Sequence, residues 1–255
     1  MASDFAHYLD ALIVLGQKDF KLRYRSSVLG FIWSLLNPLA YMLILTVVFS
    51  FLLRVSVPNF PAWLLIGLLV WRFFAIGTSQ GLTSLIEEPS LVTKVNLPRY
   101  LIVLSSNTAN LLGASLEFVT LLPLLFLLGV NLTPYVLVLP VILLTEFLLV
   151  FGVSLLLSSL TVSYRDFNEL WTLALQLGFF LSPIVYDSSL IPSRYLYLYS
   201  INPITRLIES TRAIFLQHQL PSQFDFSIVI SSVLLLLLVG GVVFRSLEGR
   251  FAEQL

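Results

Sequence analysis

The sequence predicts an all-α integral membrane protein. It has six transmembrane helices, an N-terminal amphipathic interfacial helix, and re-entrant outer helices before the last span. Three observations carry this. The stretch 28–53, VLGFIWSLLNPLAYMLILTVVFSFLL, contains no charge, and a helix rising about 1.5 Å per residue needs only about 20 residues to cross a hydrocarbon core. Lys18, Lys21, Arg23 and Arg25 stand directly before it, the arrangement that holds a segment's start in the cytoplasm. Apolar residues make up 58% of the chain and charged residues 11%, against roughly 45–50% and about 25% in soluble domains, an excess that a water-soluble core does not absorb.

The first 27 residues read as an interface segment, not a span. Phe5, Tyr8, Leu9, Leu12 and Ile13 recur at three- and four-residue intervals, with Asp4, Asp10, Gln17 and Lys18 elsewhere on the wheel, which suits a helix in the headgroup plane. No removable signal peptide is expected, because Asp4, His7 and Asp10 interrupt the start. After the span at 28–53, apolar segments follow at about 61–84, 101–129, 135–161, 169–186 and 226–244, separated by breaks rich in Pro, Asn, Glu or Arg. Six spans put both ends on one side. With the ends inside, the inner segments hold Lys18, Lys21, Arg23, Arg25, Lys94, Arg99, Arg165, Arg245 and Arg250, so positive-inside bias makes both termini cytoplasmic.

Between the second and third spans, EEPSLVTKVNLPRY opens with Glu87, Glu88 and a Pro, where a short helix can begin. It would present Leu91, Val92 and Val95 on one side and Lys94 and Arg99 on another; the plain alternative is a solvated loop. The outer segment 187–225 is far more apolar than a free loop. Asn202 before Pro203 is a helix start. Beyond it Ile204, Leu207, Ile208, Thr211 and Phe215 form one stripe, while Arg206, Glu209 and Arg212 can pair at three-residue spacing. That helix is too short to cross, so it reads as re-entrant or interfacial and packed on protein.

Three ionisable residues fall within spans: Arg72, Glu117 and Glu146. Each costs about 2.5–3.5 kcal/mol on insertion scales, so each should face protein or water. Counting from the outer ends places Arg72 and Glu146 at matching depth and Glu117 nearer the outer face, which predicts an Arg72–Glu146 pair of structural purpose. The chain has no Cys, and its two histidines, His7 and His218, are far apart, so disulfides, thiolate sites and imidazole metal sites are not expected. A net charge of +0 argues against a nucleic-acid partner. No GxxxxGK[ST], GxSxG or HExxH motif is present, which leaves the chain without a phosphate loop or a recognisable hydrolytic site.

Four runs, in this order and at these separations, carry a resemblance: FKLRYRSSVLGFIWSLLNPLAYM, SLVTKVNLPRYL, SYRDFNELWTLALQLGFFLSPIVY and INPITRLIESTRAIFL. Together they resemble the permease subunit of type 2 ABC exporters of lipid-linked polysaccharide, the class that moves O antigen, capsule or teichoic acid, over essentially the whole chain. The resemblance implies a single transmembrane domain over 1–255 in the cytoplasmic membrane. It implies a homodimer beside two copies of a separate ATPase subunit, which binds ATP and Mg, so that this chain needs no cofactor and is not itself an enzyme. It implies that the loop carrying Glu87, Glu88, Leu91, Val92, Lys94, Val95 and Arg99 is a coupling helix docking in that ATPase, aided by Tyr164, Arg165 and Asp166 at the next inner turn. The first and fifth spans would line the conduit for a polyprenyl-linked glycan with Trp33, Tyr41, Phe49, Phe179, Phe180 and Tyr186, open sideways to membrane lipid. Alternatives are a type 2 exporter of drugs, lipids or another small molecule, an intramembrane transferase, which would want clustered acids or histidines, and a passive channel.

Overall fold

The structure, a computed structural model, describes residues 2–25, 30–54, 57–95 and 97–254. Among these, the chain is helical with no strand. Helix α1 spans Ala2–Arg25, α2 Ile32–Thr46, α3 Phe60–Glu87, α4 Pro89–Lys94, α5 Tyr100–Leu127 and α6 Leu139–Ser163. Then come α7 Phe167–Leu181, α8 Leu196–Ile201, α9 Pro203–Arg212, α10 Gln223–Leu247 and α11 Phe251–Gln254. The start of the first predicted span, 28–29, and the side chain of Phe5 lie outside the described residues.

Many of these starts follow from proline. Pro61, Pro89, Pro140 and Pro203 each sit in the first two positions of their helix, where a missing N–H costs nothing and the fixed φ suits the turn. The Oδ1 of Asn202 accepts from the Ile204 amide at 3.0 Å, and Ser222 Oγ accepts from Asp225 N at 3.0 Å, both serving as N-caps.

Among the described residues, five helical stretches are long and apolar enough to cross a membrane: Ile32–Ser50, Phe60–Glu87, Tyr100–Leu127, Pro134–Ser163 and Gln223–Gln254. The predicted span at 169–186 is not among them. Its helix, α7, ends at Leu181 after 15 residues, about 22 Å of rise, because Pro183 disfavours helix at the preceding residue. A buried turn follows, with Ser182, Ile184 and Val185 almost fully enclosed.

Helix α3 is the hub, packing on α2, α5, α6, α7 and α9, while α10 lies on α6 and α9, and α1 lies on α5. Lipid tails are as apolar as Leu, so close packing and small residues do the work that hydrophobic burial does in water. At the α6–α10 crossing a Cβ on Gly240 would stand 2.4 Å from the Gly152 carbonyl oxygen, and one on Gly152 would stand 2.9 Å from the backbone at Leu236 and Leu237. Only hydrogen fits there. Small polar residues line the α3–α5–α6 contacts: Ser154 Oγ donates to Asn107 Oδ1 at 3.4 Å, and Asn110 Nδ2 to the Phe73 carbonyl at 3.0 Å.

The Gly240→Leu substitution should therefore destabilise the protein by about 1–3 kcal/mol through overpacking. Gly241→Leu, where a Cβ meets nothing within 4 Å, should stay close to wild type. Melting curves of both variants in one detergent check the contrast.

Candidate functional site

Three places concentrate chemistry: a cavity between α2, α3 and α7, the junction around α4, and the buried cap beneath α9.

The cavity has a volume of about 510 Å³ and is walled by Tyr41, Trp71, Phe179 and Phe180, with Asn37, Arg72 and Gln176 supplying polar groups. Trp71 meets Phe179 edge-on at 6.0 Å, and Phe179 meets Phe180 at 5.3 Å and 88°, the edge-to-face geometry that ring quadrupoles prefer. Arg72 Nε lies 3.3 Å from Glu117 Oε2, and its Nη1 donates to Asn37 Oδ1 at 3.1 Å. The expected Arg72–Glu146 pair is thus corrected. Helix α5 runs to Leu127, which leaves Glu117 ten residues from that end, while Arg72 stands twelve from the start of α3 at Phe60; the two share a depth. Glu146 is fully buried, and neither of its carboxyl oxygens has a hydrogen-bond partner among the described residues.

Of the six aromatic residues expected to line a path, Tyr41, Phe179 and Phe180 meet in this cavity. Trp33 is 57% exposed on α2, four residues before Asn37 and outside the lining. Phe49 instead stacks on Phe60 at 6.2 Å, so it packs the core rather than facing an opening. The Tyr186 hydroxyl donates to the Phe180 carbonyl at 2.9 Å and lies 2.6 Å from the Tyr199 hydroxyl, in a second pocket of about 610 Å³ toward the α8–α9 end. Asn37, Trp71 and Gln176 were not singled out as lining residues; two amides within otherwise apolar helices were the available signal.

Around α4, the expected short helix is present, but its apolar residues divide. Val92 is 3% exposed and packs with Leu85, Ile102, Phe244 and Phe251, with Leu91 half-buried against the same cluster. Val92 is therefore an anchor of α4 and not an outward docking residue. Val95, Lys94 and Glu87 are exposed, as are Tyr164, Arg165 and Asp166 in the turn before α7. The Arg99 guanidinium is spent on the Glu248 carbonyl, at 2.6 Å. Glu88 forms an ion pair with Lys18. Asp19 Oδ2 accepts from Ser105 Oγ at 3.2 Å; burial raises the Asp19 carboxyl above its ordinary value, with Ser105 and Lys18 opposing.

Under α9, the whole predicted stripe is buried: Ile204, Leu207, Ile208, Thr211 and Phe215. Arg212, expected to pair within α9, is only 1% exposed. Its guanidinium donates to the carbonyls of Trp63 at 3.3 Å, Pro183 at 2.8 Å and Ile184 at 3.2 Å and to Glu209 at 3.4 Å, and it stacks 3.3 Å over the Trp63 ring. Burial lowers its pKa to about 10, against the pull of Glu209, so it stays charged at neutral pH. A Cβ on Gly67 would come 2.8 Å from Arg212 Nη2, so glycine makes room for the guanidinium. Arg206 pairs with Asp225 at 2.9 Å rather than with Glu209.

The charge geometry makes a stability prediction. Arg72→Met alone removes the cation beside the 4%-exposed Glu117 and should cost up to about 3–5 kcal/mol, whereas Arg72→Met with Glu117→Gln should recover much of that loss. Glu146→Gln, which breaks no observed bond, should melt near wild type. Thermal unfolding of the four proteins in detergent checks this, and equal melting of the Arg72 single and double variants would remove the pair.

Comparison with known proteins matches the ABC-2 type transporter family model over residues 10–216. The chain is 33% identical over 260 residues to the O-antigen export system permease protein RfbA of Klebsiella pneumoniae, covering 100% of this chain and 98% of that protein. It is 32% identical to the permease of the same name from Myxococcus xanthus, covering 100% and 99%. The polysialic acid transport protein KpsM of Escherichia coli is 21% identical, covering 91% of each. The match runs from α1 through the cap under α9 and takes in the aromatic cavity and the α4 junction, and on this ground the chain belongs to the ABC-2 type transporter family.

Proposed function

We propose that this chain is the membrane-spanning permease subunit of an ATP-driven exporter that carries lipid-linked polysaccharide, O antigen or a closely similar glycan, across the cytoplasmic membrane. The observation that carries the reading is full-length similarity, at about one third identity, to permeases named for O-antigen export. The cavity between α2, α3 and α7 suits that cargo. Its aromatic faces stack against the apolar faces of sugar rings, and its amides hydrogen-bond hydroxyls. The Arg72 charge is compensated by Glu117, so the wall offers donors without a strong unpaired charge that would hold a passing segment too tightly.

In this reading two copies of the chain meet along α2 and α7, so that the cavities of both face one conduit. Helix α7 with the turn at 182–186 serves as the sixth crossing, the segment at 193–217 is the re-entrant cap, and both termini are cytoplasmic. Two copies of a separate ATPase subunit bind ATP and Mg and contact the exposed side of 87–95 and the turn at 164–166. Hydrolysis belongs to that partner; the permease converts its motion into passage of the glycan. A type 2 exporter of drugs or lipids shares the layout, but similarity to permeases named for O-antigen export favours a glycan.

Deleting the protein should make undecaprenyl- or similarly lipid-linked sugars accumulate on the cytoplasmic side while surface glycan disappears; unchanged surface glycan would refute the reading. Because the chain has no Cys, single Cys residues at Tyr41, Phe179 and Phe180 are clean reporters. Water-soluble maleimide should label them in a nucleotide-dependent manner, unlike a Cys at the exposed Leu238 on α10, and their Ala variants should slow export. Labelling that matches Leu238 in every nucleotide state, with export intact, would move the path elsewhere.

A further inference from the structure

Helix α1 is fastened to the bundle through two adjacent residues that reach different elements. Asp19 accepts a hydrogen bond from Ser105 of α5, with Gly16 against the Ser105 carbonyl at 3.8 Å for an added Cβ. Lys18 pairs with Glu88, the residue that caps α4. A cavity of about 220 Å³ lies between these contacts, bordered by Gln80, Ser84 and Glu87. Leu9, Ile13 and Val14 of α1 are all at least 46% exposed, as suits a helix resting in the membrane interface.

The two attachments differ in what they hold on to. Ser105 belongs to α5, a long helix packed on α3, α6 and α1. Glu88 begins a six-residue helix whose other side is seated by Val92 against Phe244 and Phe251. A push on α4 therefore meets α1 at Lys18; α4 also packs on α5 through Val92 against Ile102, three residues before the Ser105 that holds Asp19.

We infer that the Lys18–Glu88 ion pair is the joint that passes movement of the 87–94 element to the interfacial helix, which makes Lys18 a positioning residue for export. This rests on the reading of 87–95 as a surface contacted by the ATPase. The side chains of the pair are 38% and 29% exposed, and pairs of that kind add little to folding stability. Loss of the pair should thus show in the coupling of ATP use to transport while the protein still folds. A purely structural contact would lower yield and leave export per ATP unchanged.

The test uses the permease in complex with its ATPase subunit, reconstituted in vesicles, with glycan export and ATP turnover measured together. Lys18→Glu should co-purify with the ATPase and hydrolyse ATP, yet export about tenfold less glycan per ATP, within the usual range of coupling between sites. The reversed pair, Lys18→Glu with Glu88→Lys, should export more glycan per ATP than either Lys18→Glu or Glu88→Lys alone. Lys18→Cys with Glu88→Cys should lose coupling and regain it when bridged by a short bismaleimide. Export per ATP at the wild-type level in Lys18→Glu, a reversed pair as impaired as the single variant, or lost export on bridging would each overturn the joint. Val95→Asp tests the underlying reading separately: loss of ATPase co-purification supports it, and an intact, fully exporting complex refutes it whatever Lys18 does.

Discussion

Arg212 holds together the end of the molecule that would otherwise have the least reason to fold. The turn after α7 is buried and non-helical, so the carbonyls of Pro183 and Ile184 have no helical partner, and an unbonded buried carbonyl is costly. One guanidinium, with five N–H donors in a planar fork, serves both of them, the Trp63 carbonyl on α3 and Glu209 on its own helix. The Trp63 ring covers its face. Three elements distant in sequence are thereby joined at one cation. A Lys could not replace it, since an ammonium offers neither the planar fork nor the stacking face.

The same logic, a polar group made tolerable by several partners from different helices, recurs at mid-bundle. Arg72 links α3 to α5 through Glu117 and to α2 through Asn37. Trp171 Nε1 donates to Thr78 Oγ1 at 3.1 Å, tying α7 to α3. In a bilayer, where apolar contact does not distinguish protein from lipid, such bonds and the glycine crossing at Gly152 and Gly240 fix which helices adjoin.

Much of this was legible in the chain. Hydropathy gave the long helices, proline gave several of their starts, and the Asn202–Pro203 pair with its apolar stripe gave α9. The failures have physical causes. The expected pairing of Arg206, Glu209 and Arg212 is met by Arg212 with Glu209, while Arg206 turns to Asp225; the burial of Arg212 against backbone carbonyls leaves no mark in the sequence, because those partners lie far away along the chain. Val92 was read as facing outward because a six-residue helix on a loop has no periodicity long enough to tell its two sides apart. The Arg72 partner was missed because matching depths requires helix ends to within a turn, and α5 is longer than a minimal span. The fifth span was drawn through Pro183, where backbone sterics end the helix. Phe49, stacked on Phe60, shows that aromatic type alone does not separate lining from packing.

Helix α7 has no buried residue of its own, yet the turn at its Leu181 end is clasped by Arg212 and its other end leads into the exposed turn at 164–166. Toward Phe167 the rod is tied to α3 by the Trp171–Thr78 hydrogen bond; where that bond yields, the rod swings about its clasped end. Over a length of about 22 Å, a sideways step of a few ångströms at the loose end becomes a tilt on the order of ten degrees, and the rings of Phe179 and Phe180, close to the pivot, barely translate while they rotate. The aromatic wall would thus change its angle toward the cavity with little change in its distance, at the expense of the edge-on contact between Phe179 and Trp71.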